Sequence, residues 1–485
     1  MAEVVVLGAG VAGHTAALHL KRMLPKGDTV TVVSPKSDWN WIPSNIWVGV
    51  GKMAPEKVVF PLAPIYRRKG INFVQGKAVS VYVEGRAEDQ RPFVEVELTQ
   101  GAVGSKVNVH YDFLVNATGP QLRFDATEGL GPEANSQSVC TASHATQASA
   151  ALDSAIALME SGKKQTFVIG MGHGTCTCEG AAFEYVFNVE HVLRERGVRE
   201  MARVVYLTNE HEVGDFGVGG MSFEKDGLTI TSEQWMTRLF AERGIEVIAQ
   251  AHVTSVEPTA VNYDLIDGTS SSLDFDFAML LPPFKGVGLT AIDREGNDVS
   301  ETVFAPSGFM KVDANYESKP FEDWLADDWP STYESPSYPN VFAAGIAFAP
   351  PHAISRPYKT PKGDLVAPSP PRTGMPSGVQ GKTVAETIND RIRHGDLGRA
   401  AKRASMAEMG AACIASVGAG IRNGAAATIT MSPIVPDTKR YGSSGRIASQ
   451  TFGEIGLAGH WMKRLLHTLF IYKAKARPGW WLIPE

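Results

Sequence analysis

Cysteine is scarce in this sequence: Cys140, Cys176, Cys178 and Cys413 are the whole complement in 485 residues. That excludes the disulfide framework of small secreted domains and leaves four thiols that invite a chemical reading. Long hydrophobic runs are missing too. No apolar stretch approaches the ~18 residues of a membrane-spanning helix, and the longest candidate, residues 341–351, is short and rich in Ala and Gly. Positive charge is not in excess: the formal net charge is -6, which argues against a nucleic-acid partner. The N-terminus has no basic stretch and no cleavage site before its first strand-like residues, so no signal peptide is expected. What remains is ordinary globular material, 44% hydrophobic and 20% charged, too long for one core and expected to form two or three domains.

Residues 4–7, the turn Gly8-Ala-Gly-Val-Ala-Gly13 and the Ala-rich run after it predict strand, tight turn and helix, with a second strand over 29–34. In such a turn Gly8 permits the bend, Gly10 lets the backbone approach a pyrophosphate, and Gly13 allows helix and strand to pack closely. The helix N-terminus then offers free amides and a positive dipole end to the phosphates. One departure stands out: the second strand ends Val33-Ser34-Pro35 without the usual ribose-binding acid, which leaves Ser34 or Lys36 to that task. An alternating segment over 93–99, a strand into Ala117-Thr118-Gly119 and a late Asn340–Gly345 segment complete the pattern. Thr118, Gly119 and Gly345 bracket the far side of a dinucleotide site. A single NAD-binding domain would leave these later segments unexplained.

A second cycle opens at 166–170 and reaches Gly170-Met-Gly-His-Gly174, followed by Thr175-Cys176-Thr177-Cys178 and a helix over about 179–195. Strands are expected at 203–207, 246–248 and 277–281. Cysteines in this turn convert a phosphate cradle into a thiol site, and a helix N-terminus lowers a thiol's pKa by favouring the thiolate. Two other readings stay open: both cysteines as small buried hydrophobes, or a zinc site, although Cys-x-Cys with the other thiols so distant is not its usual spacing. Residues 355–377, rich in Pro and Gly, predict a surface excursion. Over 457–472, Trp461, Met462, Leu465, Leu466, Leu469, Phe470 and Tyr472 fall at helical spacing with Lys463 and Arg464 between them. Such a helix either packs on the core or lies in a membrane interface with its basic side toward anionic headgroups. From Lys439 onward eight Lys and Arg face two Glu, a local excess of six positives.

Residues 43–47, Val139-Cys140 to His144, Cys178 to Tyr185, residues 279–286 and Ala412-Cys413 are similar to segments of the sulfide:quinone oxidoreductases, FAD-dependent members of the disulfide reductase superfamily. The resemblance runs over nearly the whole chain. It implies an α/β fold of two Rossmann-like halves and a C-terminal amphipathic membrane-attachment region. The implied domains are an FAD domain over 1–160 and 300–395, a second Rossmann-like domain over 161–299, and a C-terminal region over 396–485. It also implies that Cys178 and Cys413 lie beside the flavin, joined by a disulfide or sulfur bridge that sulfide attacks. The released thiolate engages the flavin, and the electrons pass to a membrane quinone while polysulfide or another sulfane product leaves. Cys140 falls on the family's third cysteine, Glu184 on its general base and His144 on a histidine near the cysteines; Cys176 is extra, a bystander. No metal is implied, attachment is from one side of the membrane, and homo-oligomerisation stays open. Asp215 stands where some members carry a histidine, which puts any proton relay through that position in doubt. The alternatives are a type II NADH:quinone oxidoreductase, which would use the second glycine turn for NADH; the flavin subunit of a flavocytochrome sulfide dehydrogenase, an exported protein; and a non-catalytic flavin-binding redox sensor, which has no reason to keep the cysteine pair.

Overall fold

The computed structural model describes residues 1–485 apart from Cys178, Asp226, Thr373 and Ile421 and the side chain of Lys225. Glu3–Leu7 (β1) is almost wholly buried and aliphatic, as a strand covered on both faces requires. Val11–Met23 (α1) crosses over to Thr29–Ser34 (β2), which pairs with β1 in parallel. Asn72–Tyr82 (β3) extends the sheet in parallel, and Phe93–Leu98 (β4) and Lys106–His110 (β5) continue it antiparallel. Phe113–Asn116 (β6) returns to the other side of β1. The late strand Val341–Ala343 pairs in parallel with β6, so the order reads 341–343, β6, β1, β2, β3, β4, β5.

Ala142–Glu160 (α2) leads into a second sheet of four parallel strands. Its members are Gln165–Met171 (β7), Ala202–Leu207 (β8), Glu246–Ile248 (β9) and Phe277–Leu281 (β10), in the order β9-β8-β7-β10. Glu179–Glu195 (α3) connects β7 to β8 and is buried around most of its circumference, so it is a core helix, packed between β7, the short helix Asn45–Gly49 and the C-terminal sheet. Gly374–His394 (α4) lies against α1 so closely that a Cβ on Gly381 would sit 2.3 Å from the Ala12 carbonyl oxygen.

Ala411–Gly418 (β11), Ala425–Met431 (β12) and Phe452–Gly456 (β13) form an antiparallel sheet, and Leu457–Ala474 (α5) packs on it. Gly459 makes that approach possible, since a Cβ there would lie 2.6 Å from Thr428 Oγ1. Among the described residues no helix is long and apolar enough to cross a membrane.

Two expectations change. Residues 355–377 are not a free excursion: Ser355, Thr360, Val366, Ala367 and Arg372 are buried, because the segment is laid down on the second glycine turn. Lys463 does not face outward from α5 either. It is buried and ion-paired with Glu184, while Arg464 donates to His460 Nε2 and to the Ala419 carbonyl. The outward residues are mostly apolar: Leu457, Trp461, Met462 and Leu465 are all exposed, beside Thr468.

Candidate active site

The first glycine turn is built to the limits of backbone contact. A Cβ on Gly8, which has φ +92°, would lie 2.2 Å from the Ala117 carbonyl oxygen, and one on Gly13 would lie 2.1 Å from that of Gly8. Gly10 is different: among the described residues nothing lies within 4 Å of its Cβ position. α1 starts there without a side-chain cap and without an acidic residue in its first turn, so its amides and positive end face open space, the setting for a phosphate. Gly119 (φ +71°) also borders open space, and Thr118 donates through its N–H and hydroxyl to Asn116 Oδ1. Gly345 (φ +68°) sits against Ala12 at the head of α1 and donates its N–H to Gln380 Oε1 at 2.8 Å. The Ser34 hydroxyl closes its own turn with Lys36, donating to the Lys36 carbonyl and accepting from its N–H, and the Lys36 side chain is exposed. Open room beside unpaired helix-terminal amides, with glycine wherever a side chain would intrude, fits FAD.

The second glycine turn is covered. The Ala367 N–H donates to the Gly174 carbonyl at 2.8 Å and the Ser369 N–H to that of Cys176 at 2.9 Å. The Ser369 hydroxyl reaches the Thr175 carbonyl, and Asn209 Nδ2 donates to the carbonyls of Gly174 and Cys176. Where a Cβ on Gly174 would stand, the Leu365 carbonyl lies 2.3 Å and His252 Nδ1 2.8 Å away. The N–H groups of Gly172, Gly174 and Cys176, which a pyrophosphate would use, donate instead to the Leu281 carbonyl, His252 Nδ1 and the His173 carbonyl, and Leu365 takes the space beside Gly174.

Cys178 lies outside the described residues, but the helix that begins one residue later is defined, and Cys413 of β11 comes to its head. The Cys413 sulfur is 3.9 Å from the Cβ position of Gly180. Cys413 opens to solvent on one side, while the packed protein behind it desolvates the thiol and pushes it up to about 11, the Lys463 ammonium pulling the other way. One turn further along α3, Glu184 is buried and accepts from Lys463 Nζ, which also donates to the Ile414 carbonyl at 2.8 Å. Burial raises the Glu184 pKa and Lys463 opposes the rise.

Cys140 stands just before α2, its N–H donating to Ser138 Oγ, and burial pushes its thiol up to about 11. His144, in the first turn of α2, packs edge-on to Phe124, and desolvation lowers its pKa. The expectation of a reactive thiol in the turn does not hold for Cys176. It is fully buried, donates to the Leu281 carbonyl at 3.0 Å, and desolvation with the nearby Glu179 raises its pKa well above the usual thiol value. Cys413, Glu184 and Lys463 thus converge toward the head of α3, while Cys140 and His144 stand at the head of α2, with Cys140 near enough to Cys176 for a like charge there to help raise the Cys176 pKa.

Comparison with known proteins agrees with this geometry. The chain is similar to a sulfide-quinone reductase over nearly its whole length. That protein, from Aquifex aeolicus (strain VF5), is 28% identical over 98% of this chain and 91% of its own length. The solved structure of the sulfide:quinone oxidoreductase from the same hyperthermophilic bacterium superposes with a TM-score of 0.76 at 26% identity, covering 98% of this chain and 92% of that one. Residues 2–212 match the pyridine nucleotide-disulphide oxidoreductase family. The structure of NDH2 from Plasmodium falciparum in complex with NADH shares the fold, with a TM-score of 0.63 at 11% identity over 99% of this chain and 97% of that one. The resemblance carried by the sequence segments is borne out.

Three features were not singled out in the sequence. The Glu184–Lys463 pair spans 279 positions, and a lysine in an amphipathic helix reads as solvated until its partner is known. The 365–369 segment carries no motif beyond Pro and Ser, and only its backbone bonds reveal its role. Glu179 is the third. A carboxylate in a helix's first turn is ordinary, and nothing local says that it is fully buried.

Proposed function

We propose that this protein oxidises sulfide to sulfane sulfur at a Cys178–Cys413 pair beside FAD and passes the electrons to a quinone. The observation that carries the reading is Cys413 at the head of the helix after Cys178, in a domain whose own nucleotide turn is closed by residues 365–369. FAD binds in the cradle of Gly8, Gly10, Gly13, Thr118, Gly119 and Gly345, with Ser34 and Lys36 at its ribose end. When bound there it supplies a two-electron acceptor for sulfur and a donor for quinone.

The chain's own groups do the rest. Hydrosulfide attacks one sulfur of the bridge; the S–S bond breaks, leaving a persulfide on one cysteine and a thiolate on the other. Glu184, held against Lys463, takes the proton when the incoming species is hydrogen sulfide. Cys140 and His144 serve the same chemistry from the head of α2, Cys140 as a sulfur-handling thiol. The domain division is 1–160 with 300–395, then 161–299, then 396–485. The pairing of Val341–Ala343 with β6 supports the return of the chain to the first domain.

The protein attaches to one side of a membrane through the outer face of α5. Leu457, Trp461, Met462 and Leu465, with Phe452 and Ile455 beside them, form an exposed apolar patch of the kind that enters a lipid interface.

The test is anaerobic. Sulfide should bleach the flavin absorbance of the purified protein, and a short-chain quinone should restore it. A flavin bleached by NADH and not by sulfide would move the chain to the NADH:quinone class. A flavin that answers neither would leave a redox sensor.

A further inference from the structure

Residues 475–485, which follow α5, pack along α1, the helix whose first amides face the FAD cradle. Contacts at three levels of α1 mark their path. In its first turn His14 donates from Nε2 to the Ala474 carbonyl at 2.7 Å and accepts at Nδ1 from Tyr66 Oη at 2.9 Å. Burial lowers the His14 pKa to about 4, so the ring stays neutral. Further along, His19 donates from Nε2 to Glu485 Oε1 at 2.8 Å and packs edge-on against Trp480. In the last turn the Arg22 guanidinium lies over the Trp481 ring, 4.8 Å from its centre.

Glu485 holds these contacts together. Its side chain is only 6% exposed, and its Oε2 pairs with Lys473 of α5 at 2.7 Å. Lys473 Nζ also donates to the carbonyls of Ile483 and Pro484 at 2.8 and 2.9 Å. Burial works against the charge of Glu485, but the bonds from His19 and Lys473 outweigh it and bring the carboxyl below its usual range. α4 makes room at Gly378, where a Cβ would stand 3.2 Å from Glu485 Oε2.

The same stretch of α4 meets the cradle. Gly381 is pressed against the Ala12 carbonyl, and Gln380 accepts from the Gly345 N–H. A Cβ on Gly345 would meet Ala12 Cβ at 2.9 Å and Ser377 Oγ at 3.3 Å. One carboxylate thus joins α1, α4 and α5 beside the groups that shape the flavin site. The segment around it is lightly held: Ala476 and Trp480 are buried, whereas Arg477, Pro478, Trp481, Leu482 and Pro484 are exposed. Such segments open locally, well below the cost of global unfolding. Withdrawing one partner of a buried ion pair leaves the other unpaired, so the segment closes or opens as a unit around Glu485.

We infer that Glu485 is a positioning residue for FAD: residues 475–485 form a clasp that fixes α1 and α4 at the flavin cradle, so that clasp closure and FAD occupancy are linked. Packed helices transmit the change, because α1 presents its phosphate-facing amides correctly only when its flank is held. Linkage is reciprocal, so FAD occupancy stabilises the closed clasp by the factor that the clasp adds to FAD affinity. The exposed apolar patch belongs to the outer face of α5, and the clasp ties that helix to the flavin helix. Neither sulfide nor quinone enters the inference.

The test uses the FAD-loaded full chain. FAD release is followed by the rise of flavin fluorescence on dilution, and amide exchange over residues 475–485 by mass spectrometry at saturating and half-saturating FAD. In the parent, exchange over this segment should slow as FAD occupancy rises. E485Q should release FAD at least about fivefold faster, the low end of coupling between linked sites, and its segment should exchange fast whatever the FAD level. H19A should behave as E485Q does. Should E485Q not fold, K473M/E485Q carries the same test, since it leaves no buried charge unpaired. Release at the parent's rate, or exchange over 475–485 that ignores FAD in the parent, overturns the proposal. Exchange accelerated evenly across the whole chain of E485Q overturns it too, because that marks general destabilisation and not a clasp. A flavin that ignores sulfide would sink the proposed function and leave each of these outcomes readable.

Discussion

Lys463 of α5 donates to the Glu184 carboxylate of α3 and, at 2.8 Å, to the Ile414 carbonyl beside Cys413. The C-terminal helix is thereby tied to both the helix and the strand that frame the candidate site. Both side chains are buried, so breaking the pair strands a charge, at a cost of about 3–5 kcal/mol. Lys463→Met should lower stability in urea by that amount. Adding Glu184→Gln should recover much of it, because two neutral groups leave no unpaired charge. Equal stability of single and double variants would mean that the pair is not coupled.

Features written locally were legible in the sequence, and those made by distant residues were not. The first glycine turn and α3 were legible because each is written in a short run of residues: Gly8, Gly10 and Gly13 between an aliphatic strand and an Ala-rich helix, and α3 by a run of residues that bury together. The second turn was legible only in part. Its glycines and cysteines announced a departure from nucleotide binding, but Ala367 and Ser369, which cover it, lie far along the chain. Lys463 was read as surface charge because helical spacing gives the face of a residue and not its partner.

Stability should depend on pH through Glu210. Burial pushes its carboxyl from 4.5 up to about 7. A carboxyl whose folded pKa is raised contributes stability that is fully present below its unfolded pKa and is lost as pH rises through the folded value. The window is therefore about pH 4.5 to about 7, and the loss is at most roughly 3 kcal/mol. Glu210→Gln should be less sensitive than the parent across that window when urea midpoints at its two ends are compared. An identical pH dependence would contradict the assignment.

The covered second turn makes two measurements informative. NADH should neither bleach the flavin nor protect the protein against thermal unfolding. Gly174→Ala should push the Leu365 carbonyl away from its 2.3 Å approach, costing about 1–3 kcal/mol and opening residues 358–369 to limited proteolysis. A variant as resistant as the parent would show that the cover is not held by this contact.

Gly10 and Gly13 should fail differently. A methyl group on Gly13 meets the Gly8 carbonyl at 2.1 Å, whereas one on Gly10 meets nothing within 4 Å among the described residues. Gly13→Ala should therefore damage the turn itself, lowering stability with FAD absent. Gly10→Ala should leave the apoprotein's stability within about 0.5 kcal/mol and weaken FAD binding at least about tenfold, since it fills the phosphate room. Isothermal titration of apoprotein with FAD, beside urea unfolding of the same samples, separates the two.

The outer and inner faces of α5 should likewise separate in a vesicle assay. Trp461, Met462 and Leu465 are exposed, whereas Lys463 is buried beneath them. If lipid holds the helix by apolar insertion, each large side chain removed from the interface forfeits about 1.5–3 kcal/mol of burial. Replacing Trp461 and Leu465 together by Ser should then cut sedimentation with vesicles by at least about tenfold. Sulfide-dependent reduction of a water-soluble quinone should survive, because neither side chain contacts the Cys413 site. Salt decides between the two modes of attachment. Apolar insertion persists at high ionic strength, whereas binding through half-buried Lys475 and exposed Arg477 would be screened within a Debye length of about 10 Å at 0.1 M. Undiminished sedimentation of the double Ser variant, released by salt, would move the contact from the apolar face to the basic end of the helix.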